Sequence, residues 1–88
     1  MSKWHYPDVI RNLRISCDDF LNGSISVSTV QSEIYSAEKE IVSVDEQWLR
    51  QIMFDAENNI ELLTFTVDEE QLRNEVIPIV KNILNKIS

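Results

Sequence analysis

Residues 68–87 have the sequence DEEQLRNEVIPIVKNILNKI, in which apolar side chains recur at the three- and four-residue steps of one helical face. That face consists of Leu72, Val76, Ile79, Val80, Ile83 and Ile87. Asp68 is suited to cap this helix, and the two glutamates after it favour the positive end of the helix dipole. Pro78 falls inside the segment and removes one backbone hydrogen bond, so we predict a helix that is kinked at this residue.

Two similar stripes predict helices in the first half of the chain. The first helix begins near Pro7 and ends at Asn22-Gly23, where Gly23 can take the left-handed conformation. The second helix can be capped by either Ser26 or Ser28. The two apolar faces are Val9, Ile10, Leu13, Cys17, Phe20 and Leu21, and then Val27, Val30, Ile34, Ala37 and Ile41.

A third helix is predicted to begin at residues 43–46, SVDE, which have the spacing of a capping box. Its apolar stripe is Leu49, Ile52, Met53 and Ala56. Asn58-Asn59 is predicted to loosen or end the helix, although Ile60 and Leu63 could extend the stripe. Residues 64–67, TFTV, alternate between polar and apolar, which predicts an extended linker that holds Phe65 and Val67 under the bundle.

These elements predict a single domain over residues 1–88, an all-α, small four-helix bundle whose last helix is kinked at Pro78. The chain is 43% hydrophobic, with one glycine and two prolines, too few for a turn-rich β fold. Its single cysteine, Cys17, cannot form an internal disulfide, which favours a reducing compartment. We find no signal peptide and no apolar run of membrane-spanning length, and therefore expect a cytoplasmic protein.

Residues suited to catalysis are scarce. His5 is the single histidine and lies in an N-terminal segment that we expect to be mobile, while Cys17 falls on an apolar face as a buried thiol. No Cys/His cluster has zinc spacing, and Gly23 alone cannot build a phosphate-binding loop. No serine follows an aspartate as it does in acyl carrier proteins. We therefore expect no enzyme activity, no cofactor and no metal.

Acidic residues dominate residues 55–75, where seven carboxylates face one arginine, and most of the net charge of −7 lies there. A field of this sign suits a basic protein partner and would repel nucleic acid and anionic membranes. A structural alternative remains open, because acidic residues also stabilise helix starts and keep proteins soluble. Trp4, His5 and Tyr6 form an aromatic patch that can either cover one end of the bundle or anchor an interface.

The order of these features resembles the immunity proteins of the colicin D type, which are small acidic helical bundles. Three segments carry the resemblance: DFLNGSISVSTVQSEIY at residues 19–35, MFDAENN at residues 53–59, and TVDEEQLRNEVIPIVKNIL at residues 66–84. They share an aromatic residue before a Gly turn, an Ala-Glu pair, and an acidic helix start before a Leu-basic pair. Together they cover about half of the chain.

The resemblance implies an immunity protein that binds and blocks a nuclease-type bacterial toxin, one that cleaves tRNA. The partner would be a basic toxin domain, with no direct contact to nucleic acid. By position, Glu57 and Asp68 match acidic residues of the family, and local charge adds Asp55, Glu61, Glu69 and Glu70 as partner-binding residues. The alternatives are an acidic regulatory module or nucleic-acid mimic that inhibits another basic protein, and a small enzyme or carrier.

Overall fold

The computed structural model describes residues 4–88, which form four α-helices and one short 3₁₀ turn. The helices are α1 (Pro7–Leu21), α2 (Val27–Glu40), α3 (Gln47–Thr66) and α4 (Glu69–Ile87). Within residues 4–88 there is no β-strand, and the predicted all-α four-helix bundle is confirmed. Each helix packs against its neighbours in chain order, α4 closes the ring against α1, and α2 also touches α4.

The core lies where the four predicted stripes meet. Its buried apolar side chains are Ile10, Leu13, Cys17, Phe20, Val30, Ile34, Ala37, Ile41, Leu49, Met53, Ala56, Ile60, Val76, Val80, Ile83 and Ile87. Each helix contributes side chains at steps of three and four, because that spacing brings them to one face. None of the helices formed by residues 4–88 is long and apolar enough to cross a membrane.

The helix ends follow the local chemistry in most places. Gly23 has a φ of +85°, as predicted for the residue that ends α1. Ser26, rather than Ser28, caps α2 by accepting a hydrogen bond from the Thr29 amide at 3.1 Å. Asp68 occupies the cap position of α4, but its side chain makes no capping hydrogen bond.

The predicted capping box at residues 43–46 is formed only in part. The Ser43 hydroxyl accepts a hydrogen bond from the Asp45 amide at 3.3 Å, at the start of the 3₁₀ turn Val44–Glu46. The Glu46 carboxylate does not accept the hydrogen bond from the Ser43 backbone amide that would complete the capping box. Its Oε2 accepts a hydrogen bond from the backbone amide of His5 at 2.9 Å, so a long-range contact replaces the local one.

The predicted extended linker was wrong for residues 64–66, whereas the alternative that Ile60 and Leu63 extend the third helix is confirmed. Helix α3 continues through Asn58-Asn59 to Thr66, and no extended linker holds Phe65, whose side chain is 79% exposed. Burial of Ile60 on the stripe outweighs the weak helix propensity of asparagine, and the Thr64 and Thr66 hydroxyls bond back to helix carbonyls. The connection to α4 is only Val67 and Asp68.

Helix α4 is continuous through Pro78, and the kink at this residue stays a prediction. Replacing Pro78, which is exposed, by alanine restores an N–H group for the carbonyl of Asn74. We expect Pro78→Ala to keep the fold, with a free energy of unfolding unchanged or higher by up to about 3 kcal/mol. Circular dichroism and urea denaturation measure this. A variant that is unfolded at room temperature would show that Pro78 is required for packing.

Cys17 is fully buried, as the sequence predicted. Burial, with a smaller contribution from the charge of Asp18, raises the pKa of the thiol from 9.0 to about 12. Above pH 9 the unfolded chain therefore releases this proton while the folded chain retains it, so stability must fall as the pH rises towards 12.

The expected size of this effect is about 1 kcal/mol of unfolding free energy per pH unit above pH 9. Urea denaturation of wild type and Cys17→Ala at pH 8, 9 and 10 isolates it, because the other titrating groups are shared. The Cys17→Ala variant is less stable throughout but should lose less stability with pH. Parallel curves for the two proteins would contradict the raised pKa.

Candidate partner-binding surface at the α3–α4 junction

The acidic stretch folds into the end of α3, the two-residue connection and the first turns of α4. Glu61 and Glu69 line the same open hollow of about 460 Å³, which the start of α2 borders through Ser26, Val27 and Ser28. The Gln31 side chain donates a hydrogen bond to the Glu61 carboxylate at 2.8 Å. Carboxylates from two helices thus meet at one end of the bundle.

The six predicted site residues do not all share this location. Asp68, Glu69 and Glu70 are exposed at the start of α4, and Glu69 shares the hollow with Glu61 of α3. Glu57 is half-buried and lies one turn earlier than Glu61, about 40° away around α3 at the helical repeat of 3.6 residues. These five residues form what we call the acidic junction.

Asp55 lies apart from the acidic junction. It is about 120° from Glu61 around the α3 axis, and lines a different hollow beside Pro78 and Ile79 of α4. Its carboxylate accepts a hydrogen bond from the Gln51 side chain at 3.0 Å. Asp55 was predicted to act together with the other carboxylates because it is close to them in the sequence. The helical geometry places it on a different face of α3.

Arg73, the single basic residue of the acidic stretch, also lines the hollow of the acidic junction, and its guanidinium contacts the end of α1 and the loop between α1 and α2. Its guanidinium donates hydrogen bonds to the carbonyl oxygens of Phe20 and Ile25, the latter at 3.2 Å, and lies 4.2 Å from the centroid of the Phe20 ring. Within residues 4–88, no ion pair joins Arg73 to a carboxylate. The arginine holds the bundle together and leaves the carboxylates of the junction unpaired.

Two large apolar side chains beside the acidic junction were missed or misplaced by the sequence analysis. Leu62 is 61% exposed and Phe65 is 79% exposed on the solvent side of α3. Residues three apart are neighbours on a helix surface, so these two side chains belong to one exposed apolar patch. Their i, i+3 spacing would have indicated a second helical face if α3 had been extended through residue 66.

No cofactor or metal arrangement accompanies this surface in the part of the chain that the structure describes. Across residues 4–88, no three His, Cys, Asp or Glu side chains come together in a way that could hold a metal ion. Comparison with known proteins finds no match, since no family model fits the sequence and no curated protein or solved structure is detectably similar.

Proposed function

We propose that this protein is an immunity protein, which binds a basic nuclease-type toxin through the acidic junction and blocks its active site. The main supporting observation is that Glu61 of α3 and Glu69 of α4 line one hollow, next to the exposed Leu62 and Phe65 of α3. Arg73 also lines this hollow, but its guanidinium is hydrogen-bonded to backbone carbonyls and, within residues 4–88, forms no ion pair with these carboxylates. Such a surface offers a partner both charge and an apolar anchor. The resemblance of three sequence segments to colicin D-type immunity proteins supports the same assignment.

The proposed mechanism is exclusion of RNA by charge mimicry. A nuclease that cleaves tRNA needs a basic cleft, because its substrate carries one negative charge per nucleotide. The carboxylates of the junction would occupy the positions of phosphates in that cleft, and Phe65 would bury apolar area that RNA does not offer. The net charge of −7 would also steer the toxin towards the complex before contact.

This mechanism involves no chemical step by the immunity protein. It acts by stoichiometric binding in the cytoplasm, where the RNA to be protected is located. One molecule then inactivates one toxin for as long as the complex lasts. The slow step that determines protection is dissociation, which buried apolar contacts retard more than surface charges do.

Affinity capture from the source cell tests the proposal. Immobilised wild-type protein should retain a basic protein that cleaves tRNA, and adding the free protein in equal amount should abolish that cleavage. A captured basic protein without nuclease activity would instead support the acidic regulatory module. A captured nuclease that still cleaves tRNA in the complex would contradict active-site blocking.

A further inference from the structure

A further hollow, of about 260 Å³, lies at the other end of α3. It is lined by Trp4, His5, Asp45, Glu46, Trp48 and Lys86. Glu46 and Glu61 are about 22 Å apart along the helix, at a rise of 1.5 Å per residue. This hollow, which we call the tryptophan hollow, is therefore separate from the acidic junction, and binding there can be tested independently of the proposed function.

Glu46 is the unusual group of the tryptophan hollow. Its side chain lines the hollow although the residue is only 4% exposed. Oε2 accepts the hydrogen bond from the His5 amide, whereas Oε1 is buried and has no hydrogen-bond partner within residues 4–88. A buried carboxylate oxygen without a donor is costly, and native proteins rarely leave one unmet. Residues 4–88 therefore provide no hydrogen-bond donor for this carboxylate oxygen.

Two indole rings stand beside this carboxylate. The centroids of Trp4 and Trp48 are 6.0 Å apart, with an angle of 37° between the ring planes, and Trp48 is 48% exposed. The face of an indole attracts cations more strongly than any other aromatic side chain does. Carboxylate and indole together select a positively charged group that also carries N–H donors.

The charged neighbours of the hollow are mixed. Asp45 adds a second carboxylate, whose Oδ2 lies 3.3 Å from Nε2 of His5. Lys86 lines the hollow from α4, but within residues 4–88 it makes no ion pair with Glu46 or Asp45. Lys86 lowers the attraction for an entering cation, and its removal should strengthen binding.

We propose that the tryptophan hollow binds the guanidinium group of an arginine side chain from a protein partner. A guanidinium is flat enough to stack on an indole, and it can donate to the Glu46 carboxylate from the same plane once Oε1, which is buried in the free protein, turns towards the hollow. A quaternary ammonium satisfies the indoles but has no N–H for Glu46. A lysine ammonium has the donor but not the planar face.

The fluorescence of the chain reports on this site alone, because its two tryptophans are both in the hollow. Titration with N-acetyl-arginine methylamide should give a saturable change. The neutral citrulline analogue should bind at least about tenfold more weakly, as charge-assisted hydrogen bonds are roughly twice as strong as neutral ones. The lysine analogue and tetramethylammonium should also bind more weakly.

Variants locate the effect. Glu46→Gln keeps the size of the side chain and an acceptor for His5, and should weaken arginine binding about tenfold through loss of the charge. Lys86→Gln should strengthen it. Glu40→Gln, on the exposed end of α2, is the matched control and should change nothing.

The inference is overturned if the arginine compound fails to saturate, if citrulline binds equally well, or if Glu46→Gln binds as wild type does. Binding of free arginine but not of the capped compound would also overturn it, because the capped compound has the backbone of a protein segment. Circular dichroism of each variant confirms that the helices are intact, so a loss of binding can be assigned to the site.

Discussion

The double variant Glu61→Lys and Glu69→Lys is expected to bind the proposed basic partner at least about 100-fold more weakly than wild type. Close charge pairs at protein interfaces couple by about 1.5–7 kcal/mol, so two reversals should cost at least about 3 kcal/mol. Both side chains line the hollow of the acidic junction, and both are exposed. Association should slow as well, because the steering field is reversed locally.

A matched control separates the junction from net charge. Glu33→Lys with Glu40→Lys changes the net charge equally, from −7 to −3, at exposed positions of α2. It should reduce the association rate modestly and leave the dissociation rate unchanged. Surface plasmon resonance at two salt concentrations measures both rates. Equal losses of affinity in the two double variants would show that overall charge, not the junction, governs binding.

Stability must be measured on the same variants. Glu69 lies in the first turn of α4, where a negative charge is worth about 0.3–1 kcal/mol through the helix dipole. A structural role alone predicts a small loss of stability and full capture of the partner by the folded protein. Thermal denaturation together with the binding rates therefore decides between the two roles of these carboxylates.

The second large effect concerns folding. Arg73→Ala is expected to lower the free energy of unfolding by about 3 kcal/mol, since hydrogen bonds to charged groups contribute about 1.5–3 kcal/mol each. The variant loses the hydrogen bonds to the Phe20 carbonyl at the end of α1 and to the Ile25 carbonyl in the α1–α2 loop, together with the contact with the Phe20 ring. In a domain of this size the melting temperature should fall by roughly 12–24 °C.

Two further variants test the geometry of this contact. Arg73→Lys keeps the charge but cannot reach both carbonyls with one ammonium group, so we expect about half of the loss. Arg11→Ala removes an exposed arginine whose ion pair with Asp8 spans 2.9 Å, and should change stability by less than about 1 kcal/mol. If Arg73→Ala were as mild as Arg11→Ala, the inward-facing arginine would not hold α4 against the loop.

The four helices were predictable because each carries its own periodic stripe. Gly23 at the end of α1 and a serine cap on α2 depend on neighbouring residues alone, and both were anticipated. The buried position of Cys17 followed from the same periodicity. In each case the interaction that determines the local structure joins residues within one helical turn of each other. Such interactions can be predicted from the sequence alone.

Residues 64–67 show where local patterns fail. Four residues that alternate between polar and apolar can belong to a strand or to the last turn of a helix. Here they are helical, because burial of Ile60 in the core favours continuation of α3. Phe65 was consequently placed on the surface. The acidic junction was predicted as a charged stretch of sequence. Asp55 and Glu61 nevertheless line different hollows, because they point in different directions around the axis of α3.

The acidic charge and the all-helical fold of this domain could be predicted without a structure, because charge and apolar periodicity can be read directly from the chain. The tertiary structure alone decided which side chains meet. Arg73 reaches the carbonyl of Phe20 across 53 positions, and Glu46 accepts its hydrogen bond from His5 across 41. Such pairs form where helix packing brings distant segments together, and no local pattern in the sequence encodes that distance.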